Sequence, residues 1–280
     1  MLNELLIDVE PAAAPAPPPP VLSAEELRAE CAARANLYRL LAGVFVEEPG
    51  IEFLASLREP AAQDALAQAG VRFGDDFTQP DLAALADALA GEYTTMFVAS
   101  GGFPPVESVR LTGRYQQAPH FDVREIYRRA GFTVGKGRFQ VFDDHLGVEL
   151  LFVAELLDRC VAALDRGDLA GYRATERDIK RFWTLHPGRW VRGYCQLVER
   201  ATEHSLYREM ARFLAGFADE EIAAMRLRVD DVDQGREVVP KSEVQVAFDP
   251  DEPVCNACPA GRESSLPAGA IPIAVEPRAS

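Results

Sequence analysis

From Leu146 to Leu157 the chain reads "LGVELLFVAELL", with only Glu149 and Glu155 charged. A run this apolar on all sides, and longer than a typical strand, is a helix enclosed by other elements. It is too short for the roughly 20 residues of a membrane-spanning helix. Directly before it stand Asp143, Asp144 and His145. Burying a carboxylate costs several kcal/mol, by the usual order of magnitude, unless it is paired or hydrogen-bonded. The acids around this helix therefore need partners. In the structural reading, Asp143 or Asp144 caps the helix, His145 binds a loop carbonyl and Glu149 meets an arginine. His145 and Glu149 are four apart and share a face. The sharper alternative is a metal-dependent helical-bundle enzyme using Asp144, His145 and Glu149. A di-iron bundle would require Glu-x-x-His pairs. The residues three before each histidine are Gln117, Phe142, Trp183 and Ala201, so that motif is absent.

The remaining pattern is helix after helix across residues 23–220. Ser23 with Glu26 is a capping-box signal. Pro and Gly punctuate the chain at "EEPG", "REP" and "FGDDFTQP". A helix over 81–98 opens on Pro80-Asp81, and a short one over 123–130 starts at Asp122 and closes at Gly131. The apolar helix is expected over about 144–166. Asp168 begins another that stops near His186, and Pro187 suits the first turn of the next. Alternating β-branched segments are nearly absent before residue 229. The fold class is all-α: a single helical-bundle domain (23–220) with irregular ends. Residues 1–22 are a Pro-rich leader around "PAAAPAPPPP", and 221–280 form an acidic, Pro-containing tail with a lone "CNAC" at 255–258. "EVVPKSEVQVAF" could form a strand pair, weakened by Pro240.

Charge excludes some partners. The net charge is −15, and between 219 and 252 there are 11 acids against 4 bases. A nucleic-acid backbone is thus an unsuitable partner, and a basic peptide or a cation a suitable one. The acidic start "MLNELLIDVE" does not read as a secretory signal. Five scattered cysteines argue against a disulfide scaffold. There is no membrane span, no phosphate loop and no cofactor motif, and the expected location is cytoplasmic.

Three separated motifs carry a resemblance: "EYTTMFVASGGFPPVESVRL" (92–111), "FDDHLGVELLFVAELL" (142–157) and "FWTLHPGRWVRGYCQLV" (182–198). In order and spacing they resemble the TorD/DmsD/NarJ family of molybdoenzyme maturation chaperones. That family shows E-Y-x-x-L-F, P-x-x-S-x-Y, D-D-H-(I/L)-G-x-E-L-x-F and F-x-x-x-H-x-x-x-W. The resemblance covers about residues 30–215. Arg110 departs from it, standing where the family has an aromatic residue. Phe142 replaces a proline often found before Asp143. The resemblance implies an all-α protein without catalytic activity; no cofactor or metal is expected, and binding of a nucleotide or the molybdenum cofactor is left open. It would bind the twin-arginine signal peptide, or the apo form, of a molybdopterin oxidoreductase until its cofactor is inserted. It leaves monomer against domain-swapped homodimer open. Carried onto this chain, the candidate client-binding residues are Glu92, Tyr93, Phe97, Phe103, Glu107, Ser108, Phe142, Asp143, Asp144, His145, Glu149, His186 and Trp190. Asp143, Asp144 and Glu107 would meet the guanidiniums beside an apolar wall of Phe103, Phe142 and Leu146. For Trp190, four before Tyr194, a core stripe competes with a client-facing role.

Overall fold

The computed structural model describes residues 22–99, 101–135, 141–235 and 275–277. The leader at 11–20, the "EVVPKSEVQVAF" segment and the Cys255/Cys258 pair lie outside the described residues. Helix α1 (Ala24–Phe45) opens on the expected capping box, Ser23 and Glu26 exchanging side-chain and backbone hydrogen bonds. Short helices follow: α2 (Ile51–Arg58), α3 (Pro60–Gln68) and α4 (Asp75–Thr78). Helix α5 (Leu82–Tyr93) is capped by Asp81 and runs into a π-helical turn, Thr94–Val98. Helix α6 (Glu107–Thr112) precedes α7 (Ala118–Ala130), which begins several residues before the expected start at Asp122. Pro119 sits in the first turn of α7, where its missing N–H costs nothing. Gly131 ends α7 in the left-handed region at φ 76°.

The apolar run is α8 (Leu146–Asp165), followed by α9 (Leu169–Leu185), a 3-10 turn (Pro187–Arg189), α10 (Val191–Ala201) and α11 (Ser205–Ala224). Along α8 the buried set includes Leu146, Val148, Leu150, Phe152, Val153, Leu156 and Leu157. It packs against α1 and α9, while α10 packs on α11. Trp183 of α9 donates its indole N–H to Tyr38 of α1 (2.7 Å), whose hydroxyl donates to Glu221 of α11 (2.6 Å). Arg34 pairs with both oxygens of Glu221. These contacts tie three helices at the core.

Two expectations at the chain's end are corrected. The folded part continues past residue 220, because Glu221 of the acidic stretch is a buried core partner and α11 runs to Ala224. Residues 231–233 then dock. The Asp231 carboxylate accepts the backbone N–H groups of Arg192 and Gly193 at the start of α10 (2.9 and 3.0 Å). Asp233 pairs with both ends of the Arg110 guanidinium, 2.9 Å each. Further on, β2 (Val275–Pro277) pairs antiparallel with β1 (Phe132–Val134), where the sequence suggested irregular chain.

Candidate functional site

Helices α6 and α8 start side by side. Val106 and His145 form an antiparallel bridge, Glu107 N–H donates to the Asp144 carbonyl (2.9 Å), and Leu146 N–H donates to that of Pro105 (2.8 Å). The "PPVES" and "DDHLG" motifs are thereby one structural unit. Asp144 does not cap its own helix, and neither does Asp143. The N-cap of α8 is His145, whose Nδ1 accepts the Gly147 N–H (3.1 Å). Burial holds this imidazole down to about pKa 4, partly offset by neighbouring Asp144. Asp144 instead serves the start of α6. Its Oδ2 accepts the N–H of Ser108 (2.8 Å) and a short hydrogen bond from the Ser108 hydroxyl. Gly147 has its own reason: a Cβ there would meet Cβ of Val46 at 2.7 Å and its Cα at 2.9 Å. The motif glycine lets α8 approach the end of α1.

Helix α7 completes the surroundings of Asp144. His120 is buried with Nδ1 3.1 Å from Asp144 Oδ1 and Nε2 2.8 Å from an Arg124 nitrogen. Arginine offers only donors, so Nε2 accepts and Nδ1–H donates to Asp144. Arg124 also pairs with Asp143 (2.8 Å), and Tyr127 donates to the Asp143 carbonyl (3.2 Å). His120, Arg124 and Tyr127 are absent from the sequence-derived set. Their spacing of four and seven on one helix is the signal that could have revealed them.

Below this chain lies a second buried group. His186, at the end of α9, donates from Nδ1 to Glu107 Oε2 at 2.8 Å. Ligand atoms of Glu107, Glu149 and His186 all lie within 4.8 Å of one another. Glu107 Oε1 and both oxygens of Glu149 have no hydrogen-bond partner among the described residues, nor has Trp190 Nε1. The Trp190 indole and the Glu107 carboxyl both stand against Glu149. Burial, then the Glu107 and Asp144 charges, push the Glu149 carboxyl well above the ordinary carboxylate range. Glu149 is therefore not held by the expected arginine. The metal set Asp144–His145–Glu149 is not assembled either, because Asp144 and His145 Nδ1 are committed to Ser108, His120 and Gly147.

The other candidates fall elsewhere. Glu92 accepts the Thr202 hydroxyl and the N–H groups of Glu203 and His204, ordering the entry to α11. Tyr93 donates to the Phe45 carbonyl (3.0 Å), and Phe97 packs edge-on to Phe45, Tyr93 and Tyr207. Phe103 is half-buried, its carbonyl accepting from Tyr194. Trp190 is fully buried and stands against Tyr194, as in the core-stripe reading. Glu155 is only half-buried and pairs with Arg39. Phe142 stacks on exposed Tyr115 (centroids 4.8 Å apart), close to His120, and Phe121 is exposed beside it.

Glu107 and His186 also form the floor of a surface cleft of about 380 Å³ between α7 and α9. Its walls are Ala118, Pro119, Asp122, Glu125, Ile126 and Arg129 on one side, and Arg181, Leu185 and Arg189 on the other. Carboxylates and guanidiniums thus line one mixed-charge groove with apolar patches, suited to an extended polar segment. The sequence model of the nitrate reductase delta subunit family matches residues 57–196. No curated protein matches the sequence. Among solved structures, a candidate redox enzyme maturation protein from Archaeoglobus fulgidus aligns at 20% identity. The alignment covers 66% of this chain and 93% of that one, with a TM-score of 0.39.

Proposed function

Because this chain belongs to the nitrate reductase delta subunit family, the NarJ/TorD type of redox-enzyme maturation chaperone, we propose that it holds the apo catalytic subunit of a molybdopterin oxidoreductase in the cytoplasm. It does so through that subunit's twin-arginine signal peptide, without catalysing a reaction, until the cofactor is inserted. The observation that carries this reading is convergence. Three motifs far apart in sequence supply Glu107, Glu149 and His186 to one buried polar group, with Asp144 and His145 at the helix junction beside it, and Glu107 and His186 line a surface cleft. The buried members shape the surface, and the half-buried and exposed residues around them touch the client. Asp143 and Asp122 receive guanidiniums, and Phe142 with Tyr115 and Phe121 offers the apolar surface. The net charge of −15 favours capture of a basic peptide.

The test is capture from the native cell with the tagged full chain. The expected bound polypeptide is a molybdoenzyme catalytic subunit lacking its cofactor, lost when its signal peptide is deleted. Fluorescence anisotropy with the labelled signal peptide then checks the contact residues. Asp143→Asn and Asp122→Asn should each weaken binding by about 1.5–3 kcal/mol per lost charged hydrogen bond, with little change in Tm. Undiminished affinity in both variants would move the peptide away from this face.

A further inference from the structure

We propose that Glu107, Glu149 and His186 form a binding site for a borderline divalent transition metal of the zinc, manganese or ferrous type. Three helices each bring one ligand: Glu107 from the start of α6, Glu149 from the second turn of α8 and His186 from the end of α9. All three are buried. Their ligand atoms lie within 4.8 Å of one another. Three ligands each roughly 2.0–2.2 Å from one cation stand ~3.3–3.8 Å from one another. Closing the set takes side-chain adjustments on the order of an ångström.

The second observation is what these side chains leave unspent. Both Glu149 oxygens and Glu107 Oε1 have no hydrogen-bond partner among the described residues, although Glu149 is fully buried. None of the ion pairs formed by the described arginines and lysines reaches either carboxylate. Two buried carboxyl groups with unpaired oxygens facing an imidazole offer a ligand set that a cation at their centre would satisfy. A metal bound there displaces the carboxyl proton of Glu149 into solvent and shifts the His186 proton from Nδ1 to Nε2, leaving a neutral imidazole and two carboxylates as ligands. One imidazole with two carboxylates, and no thiolate, suits zinc, manganese or ferrous iron better than copper(I) or an all-oxygen calcium site. Three protein ligands leave a further coordination position. Glu107 and His186 also floor the α7–α9 cleft, which provides the way in.

The test uses the full chain, treated with chelator and dialysed, and Co²⁺ alone as the probe, followed by Zn²⁺ competition. The expected result is one equivalent of Co²⁺ with d–d bands of a nitrogen/oxygen site and no thiolate charge-transfer band. Zn²⁺ should displace it and raise Tm. Glu149→Gln and His186→Gln should weaken binding more than about 100-fold, beyond the loss for an outer partner. A Cys255→Ser/Cys258→Ser variant should bind as the wild type does. Absence of stoichiometric binding in the wild type overturns the proposal, whatever the folding of the variants. So does unchanged affinity in folded Glu149→Gln and His186→Gln, or a site abolished by the cysteine substitutions.

Discussion

His145 caps α8 with its ring while sitting buried beside Asp144. Its imidazole protonates only near pH 4, whereas an unfolded histidine does so near 6.5. The unfolded chain therefore takes the proton first as pH falls. The contribution of His145 is intact above about pH 6.5 and is lost between 6.5 and 4. Asparagine keeps a cap acceptor and does not titrate. Relative to His145→Asn, the wild type should lose about 3 kcal/mol across that window, measured by urea melts at stepped pH. A constant difference between the two would mean the ring is solvated. Gly147 sets a steric condition of the same precision. In Gly147→Ala the new methyl would meet the Val46 backbone, and urea denaturation should show a loss of about 1–3 kcal/mol.

Helices α6 and α8 depend on each other's first turns. Asp144 precedes α8 yet binds the N–H and hydroxyl of Ser108 in α6, while α7 holds its other oxygen through His120. An amide at position 144 would present N–H toward a donor or surrender one of these bonds. Asp144→Asn should therefore lower stability by about 1.5–3 kcal/mol, read from denaturant midpoints. Asp143→Asn, whose carboxylate meets the exposed Arg124 and the edge of His120 among the described residues, should stay within about 1 kcal/mol of the wild type. The two adjacent acids thus separate: one organises the element junction, the other is the one proposed to meet the client. Capping preference alone treats them alike, because both precede the apolar run and both are good caps. The register of the 105–107 and 144–146 bridge is what distinguishes them.

Across the whole molecule, the docked turn at 231–233 joins the chain's end to the bundle. Arg110, the position that departs from the family's aromatic, pairs with buried Asp233 and lies over the Tyr194 ring. A fragment ending at residue 229 should be less stable than one ending at 235 by roughly 3 kcal/mol or more, since it leaves Arg110 without Asp233. Gly193→Ala should reproduce that loss at full length, because its Cβ would lie 2.3 Å from the Asp233 carbonyl carbon. Thermal melts of the three proteins check this. Equal stability would mean that the turn only rests on the surface.

Helix existence and most boundaries were legible in the sequence. The Ser23–Glu26 box, Asp81, Gly131, Asp168 and the apolar run at 146–157 each act through neighbours in the chain, and local rules reach that far. Family membership was legible too, in the order and spacing of three motifs. The partners of the buried polar groups were not. Nothing local to Glu149 says that it faces Glu107 and His186 in place of an arginine, or that Asp144 belongs to α6. The acidic count after 219 pointed to a solvated tail, yet Glu221 and Asp233 are buried against Arg34 and Arg110. A charge can be buried only where a distant element brings its counter-charge or donors. Local sequence therefore sets where helices start and stop, and tertiary packing alone decides which polar residues are surface and which are interior.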